Sequence, residues 1–145
     1  TDVGALVMGS HTYEWIVRNA DSVIAETGSA WPYTQPTWVC TTRNLEPLPN
    51  ADIRFVRGDV RQIHAAMRAA AGDKNIWVVG GGDVAGQFYD HGLLDELIIG
   101  VASATLGHGK PLFPRRVVGS ALHLTAVRQM GTGMVELRYD VQSKP

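Results

Sequence analysis

The residues best placed to do chemistry fall in one run, Ile76-Trp77-Val78-Val79-Gly80-Gly81-Gly82-Asp83-Val84-Ala85. An apolar strand feeds three glycines and then a helix start. Glycines let a ligand approach the backbone closely, and the unpaired N–H groups of a helix N-terminus attract phosphate. Gly80, Gly82 and Ala85 have the G-x-G-x-x-A spacing of a dinucleotide-binding turn. The same spacing also serves a tight strand-to-helix turn with no ligand, so alone it leaves both readings open. The ordinary Rossmann arrangement fails on position. There the glycines follow the first strand, with an acid about 20 residues on at the end of the second. Here they come past mid-chain, and Asp95 and Glu96 precede a strand instead of ending one.

Two further strand ends carry groups suited to phosphate. Gly9-Ser10-His11-Thr12 follows the apolar run Ala5-Leu6-Val7-Met8 and opens a helix, and Thr41-Thr42-Arg43 offers two hydroxyls and a guanidinium. Ligands of open α/β sheets lie outside the carboxyl ends of the strands. Singly, each group has an ordinary use, Thr12 as a helix cap and Thr42 and Arg43 as a solvated loop. Three such ends together make a coherent binding site.

Other chemistries find little support. His11, His64, His91, His108 and His123 have no metal-ligand spacing with Cys40, so no metal is expected. Cys40, in an apolar run, reads as a small buried hydrophobe. No G-x-S-x-G nucleophile elbow occurs, and Gly109-Lys110-Pro111 lacks the Ser or Thr of a phosphate-binding P-loop. Trp15, Trp31, Trp38 and Trp77 are scattered, as core and pocket wall rather than a stacking platform for nucleic acid.

The elements that must hold these groups follow from periodicity. Strands are expected at Gly4–Met8, Thr37–Thr42, Ile53–Val56, Ile76–Val79 and Leu97–Val101, the last two as runs buried on both faces. Thr12 caps a short helix carrying Tyr13, Ile16 and Val17, and no regular element is expected from Arg18 to Pro36. Asp59 and Gln62 have capping-box spacing ahead of the stripe Val60, Ile63, His64, Met67, Ala70, Ala71, which Gly72 closes. A shorter helix is expected from about Val84 to Asp90, stopped at Gly92. Apolar and polar residues alternate on both sides of Gly131-Thr132-Gly133, which predicts a terminal β-hairpin.

Composition sets the outer bounds. The chain has 145 residues, 45% hydrophobic, with 13 Lys+Arg against 14 Asp+Glu and one Cys. That length fits one domain with its own core. Balanced charge gives no bulk attraction to nucleic acid or to an anionic membrane. No apolar run reaches the roughly 20 residues of a membrane span. A single Cys makes the reducing cytoplasm the default location.

Val7-Met8-Gly9-Ser10-His11-Thr12-Tyr13-Glu14 resembles the strand-turn-helix of dihydrofolate reductases, and Val78 to Val84 with Gln87-Phe88 resembles their glycine-rich cofactor segment. Gly92-Leu93-Leu94-Asp95-Glu96-Leu97 and Leu106-Gly107-His108-Gly109-Lys110-Pro111-Leu112-Phe113 are more similar to a sister group. That group is the reductase domain of the bifunctional riboflavin-biosynthesis deaminase–reductase, with its stand-alone bacterial relatives. The resemblance spans nearly the whole chain, with the motifs in the family's order. It implies an α/β, three-layer, dihydrofolate reductase-like fold whose central sheet is mixed, mostly parallel, and ends in an antiparallel C-terminal hairpin. Residues 1–145 would form one reductase domain, with the family's first strand and loop expected before Thr1.

The resemblance implies NADPH as cofactor. Gly9, Ser10, His11 and Thr12 would meet its pyrophosphate region, and Thr41, Thr42 and Arg43 its adenosine 2′-phosphate. Val79, Gly80, Gly81, Gly82, Asp83 and Val84 would approach the pyrophosphate and nicotinamide, with Gln87 nearby. Ser10 replaces a basic residue common in folate reductases, which leaves Arg43 as the deciding cation. On the substrate side the resemblance implies Ile16 as a ring contact. Gln35 falls in the stretch where folate reductases carry the arginine that binds the folate tail. The family's acidic or substrate-orienting residue would precede Thr1, so no catalytic residue is assigned. The expectation is a cytoplasmic NADPH-dependent reductase of a pyrimidine-, pteridine- or ribosylamine-like small molecule, with a second copy as a homodimer partner. Competing readings are a dihydrofolate reductase and a nucleotide-binding or dimerisation module without catalysis.

Overall fold

A computed structural model of the chain describes residues 2–142. Up to Asp90 it is built from parallel strands and the helices that return the chain. In order these are β1 (Val3–Gly9), α1 (Ser10–Arg18), α2 (Ala20–Thr27), β2 (Thr37–Cys40), β3 (Ile53–Val56), α3 (Val60–Ala71), β4 (Asn75–Gly80) and α4 (Gly82–Asp90). The four strands form one sheet in the order β3-β2-β1-β4, every pair parallel. β5 (Glu96–Ala102), a 3-10 turn at Gly119–Ala121, β6 (Leu122–Met130) and β7 (Met134–Val141) follow.

Successive side chains of a strand point to opposite faces, and here both faces are covered. Ala5 and Val7 of β1 join Trp38, the α3 stripe Val60, Ile63, Met67 and Ala71, and Val84 and Phe88 of α4. Met8 and Val39 point the other way, onto Tyr13 and Ile16 of α1 and onto Trp31. Helices, sheet and helices thus make three layers, with β1 central and Ala5 to Met8 wholly buried. Asp59 caps α3 as expected, but its carboxylate accepts from the Arg61 backbone N–H at 2.8 Å, not from Gln62.

The α/β class, the parallel central sheet and the antiparallel end are as the sequence implies. The hairpin, however, recruits β5 into a sheet of its own, ordered β5-β7-β6 and antiparallel throughout. Expectation and structure differ elsewhere too. β4 and β5 are not buried on both faces: Trp77 is 45% exposed, and no residue of β5 is fully buried. Lone apolar runs do not reveal whether a second helix layer covers them. The stretch from Arg18 to Pro36 is not irregular, because α2 lies within it and ends at Gly28, with φ of +78°. None of its residues is fully buried, so it writes no apolar stripe into the sequence. Finally, α1 begins at Ser10 with Gly9 as its N-cap, which places Thr12 inside the helix rather than at its cap. Likewise α4 begins at Gly82, before Val84.

Candidate functional site

Because β3, β2, β1 and β4 are parallel neighbours, their carboxyl ends emerge along one edge of the sheet. The structure brings the three predicted strand ends together there. Gly9 N-caps α1 and Gly81 N-caps α4, and neither helix start has a side-chain cap. Their first N–H groups stay uncapped, and each start carries about half a positive charge from its dipole. A Cβ added to Gly9 would lie 3.7 Å from the Gly81 nitrogen and 3.3 Å from Val84 Cγ2, so the two starts stand side by side. Thr12 Oγ1 faces Gly80, 3.7 Å from where a Cβ would stand.

The three glycines of the second turn have different reasons to be there. Gly80 takes φ of +141°, a conformation that side chains disfavour. A Cβ on Gly82 would overlap the Leu112 carbonyl oxygen and lie 2.9 Å from Pro114 Cδ, so that glycine serves packing. Gly81 has extended backbone, and a Cβ there would meet nothing within 4 Å. No neighbouring atom of the chain excludes a side chain at Gly81; a ligand passing close to the backbone would.

Beside these helix starts lies a cavity of about 290 Å³, lined by Ser10, Cys40, Thr41, Thr42, Val56, Arg57, Gly58, Val60, Ile63, Val84 and Gln87. Its size suits one end of a dinucleotide rather than the whole. Burial pushes the Cys40 thiol up to about 11, so it lines the wall as a neutral group and not as a nucleophile. Gln87 donates to the Asp83 carboxylate at 2.9 Å, which fixes both on the exposed side of α4. His11 is exposed and Val79 half-buried against the α1 side of the core.

Arg43 stands at the rim already paired. Its guanidinium donates to both Glu14 carboxylate oxygens, at 2.9 and 2.7 Å, and to Ser10 Oγ at 3.1 Å. These bonds hold the Glu14 carboxyl below its ordinary range. The backbone N–H of Arg43 donates to Thr41 Oγ1 at 3.0 Å, which turns the loop back towards α1. Sequence reasoning missed two charged groups here. Glu14 lies four residues after Ser10, one helical turn along the same face, and that spacing was the available signal. Arg57 follows the last residue of β3 as Arg43 follows the end of β2, and it lines the cavity with no ion pair among the described residues.

The substrate-side residues are not brought to this cavity. Ile16 is 5% exposed and packed with Met8, Tyr13, Trp31 and Val39, because it shares the inward face of α1 with Tyr13. Gln35 precedes the amino end of β2, opposite the end that leads to Thr41. Among the described residues, no group of three His, Cys, Asp or Glu could hold a metal ion, and no helix is long and apolar enough to cross a membrane.

Residues 17–136, most of the chain, match the RibD C-terminal domain. The chain belongs to that family. It is 28% identical over 137 residues to the uncharacterized protein YwjB of Bacillus subtilis (strain 168), covering 94% of this chain and 73% of YwjB. Among solved structures it resembles a Shewanella sp. PV-4 protein assigned to riboflavin biosynthesis, with TM-score 0.72, 25% identity, and coverage of 97% of this chain and 75% of that one. A pyrimidine reductase-like protein from Corynebacterium diphtheriae shares the fold at TM-score 0.64 and 16% identity, over 98% and 77% of the two chains. RibD of Acinetobacter baumannii does so at TM-score 0.61 and 16% identity, and there the chain spans 47% of the longer protein. Membership in the RibD C-terminal domain family supports a reductase-type function.

Proposed function

We propose that this chain is an NADPH-dependent reductase that transfers hydride to a pyrimidine-, pteridine- or ribosylamine-like substrate. The activity would be similar to that of the 5-amino-6-(5-phosphoribosylamino)uracil reductase of riboflavin biosynthesis. The observation that carries the reading is the open space over Gly81, between two helix starts capped by glycine and beside a cavity with Thr41, Thr42 and Arg57 in its wall. A pyrophosphate fits such a place because uncapped N–H groups and helix dipoles both favour an anion. Bound there, NADPH would supply the hydride. The protein's part is to orient the nucleotide: Gly9 to Thr12 and Gly80 to Val84 along the pyrophosphate, and the Thr41–Arg43 edge at the adenosine side.

The riboflavin-type substrate is preferred to folate because Gln35 offers a neutral amide where the resemblance to folate reductases places an arginine. A charge-assisted bond is roughly twice as strong as a neutral one, so the folate tail would lose about 1–2 kcal/mol at minimum. Steady-state NADPH oxidation with a ribosylaminopyrimidine and with dihydrofolate tests both points. Turnover of the first and poor turnover of the second are expected. Efficient reduction of dihydrofolate, with kcat/KM near about 10⁶ M⁻¹s⁻¹, would overturn the substrate assignment. Nucleotide binding with no turnover of any pyrimidine, pteridine or ribosylamine would overturn the enzyme assignment and leave a binding module.

A further inference from the structure

Two arginines reach the adenosine edge of the cavity, and they are not equivalent. Both Arg43 Nη atoms are committed to the Glu14 carboxylate, with a third bond to Ser10 Oγ. Arg57 lines the cavity with no partner among the described residues. The Glu14–Arg43 pair is neutral, and its guanidinium fork, the part that would grip a phosphate in bidentate fashion, is already filled by a carboxylate of similar shape.

We infer that Glu14 is a specificity-determining residue: it neutralises Arg43, so that recognition of a 2′-phosphate falls to Arg57 and discrimination against nucleotides lacking that phosphate is held low. The inference rests on the reading of this edge as the adenosine side of a dinucleotide site. A 2′-phosphate approaching Arg43 must either displace Glu14 or accept its negative charge at close range. Even in water, two unit charges about 4 Å apart change an equilibrium several-fold. A ribose carrying a free 2′-hydroxyl meets no such penalty, and the carboxylate can accept a bond from it. Because the pair is partly exposed, with Arg43 half accessible, the effect is one of degree and shrinks as salt rises.

The test is titration calorimetry with 2′,5′-ADP and 5′-AMP at fixed low ionic strength, reading the ratio of their dissociation constants. Glu14→Gln removes the charge and keeps the shape, and it is expected to raise discrimination in favour of 2′,5′-ADP about tenfold. Arg57→Ala is expected to lower the ratio about tenfold, the effect of one charge-assisted bond. In the Glu14→Gln background, Arg43→Ala should return the ratio towards that of the unsubstituted protein, because the gain comes from the freed guanidinium. A ratio unchanged or lowered in Glu14→Gln, with both nucleotides still binding, overturns the inference and leaves the nucleotide site standing. If neither nucleotide binds the unsubstituted protein, the reading of the site fails and the inference fails with it. Circular dichroism of each variant confirms that the fold is intact, as expected for substitutions at the cavity rim.

Discussion

At the scale of single residues, neighbouring glycines with one letter have separate physical reasons. Gly81 is the one whose side-chain space is empty in the protein and filled by the proposed ligand. Nothing lies within 4 Å of a Cβ there, so Gly81→Val is expected to enter without a packing clash. A branched side chain would then occupy the path of the pyrophosphate, and NADPH affinity should fall at least a hundredfold, about 2.7 kcal/mol. Tryptophan fluorescence titration measures this, with circular dichroism as the control for folding. A folded variant that binds NADPH normally would reduce the glycines to a turn. The sequence carries the glycine run plainly, since three glycines after an apolar strand are rare enough to stand out. It does not carry the division of labour among them, because that depends on Leu112 and Pro114, far along the chain. Arg43 shows the same limit. Its type and position are legible in the sequence, whereas its capture by Glu14 requires α1 and the β2 end to be set side by side in space.

At the scale of elements, α3 is the one the sequence describes best, since its cap, stripe and glycine stop agree. Asp59 holds the start of this helix and also pairs with Arg61 at 2.9 Å from Nε and 2.5 Å from Nη2. The side-chain bonds to Arg61, followed by its backbone N–H, lower the Asp59 carboxyl to about 2 from an ordinary 3.8. A carboxylate whose folded pKa is depressed contributes stability above its unfolded pKa and loses it as pH falls through the folded one. Asp59→Asn keeps a capping acceptor and has no proton to gain. Between about pH 4 and pH 2 the unsubstituted protein should therefore lose urea midpoint more steeply than Asp59→Asn. Parallel slopes would show that the cap does not titrate with folding. Where packing rather than local signal decides, the sequence is less informative. α2 buries no residue fully, and β5 carries an apolar run that the fold leaves half open, so neither has a reliable signature.

At the scale of the whole molecule, one joint between the antiparallel and the parallel part lies on α4. The segment after β5 crosses that helix. Leu112 and Pro114 sit on Gly82, Phe113 meets Tyr89 ring edge to face at 5.6 Å, and Arg115 lies over Gly86 with its Nε 2.8 Å from Asp90. The same helix begins at the glycine turn of the proposed site, so this contact also bears on where that turn stands. Gly82 is the tightest point of the joint. A methyl there would collide with backbone, which moves only if the 112–114 segment lifts off the helix. Gly82→Ala is accordingly expected to cost about 1–3 kcal/mol, the range for overpacking in a filled interior. Gly86→Ala is the matched control. Its methyl would meet the Arg115 guanidinium at 2.6–3.0 Å, the far end of a flexible side chain that can swing aside, so its cost should be clearly smaller. Urea denaturation of both variants separates the cases. If Gly82→Ala loses less than about 0.5 kcal/mol, or no more than Gly86→Ala, the segment is not seated on α4 and the joint must lie elsewhere. A loss confined to Gly82→Ala, accompanied by weaker NADPH binding, would show that the packing of 112–114 also sets the position of the glycine turn.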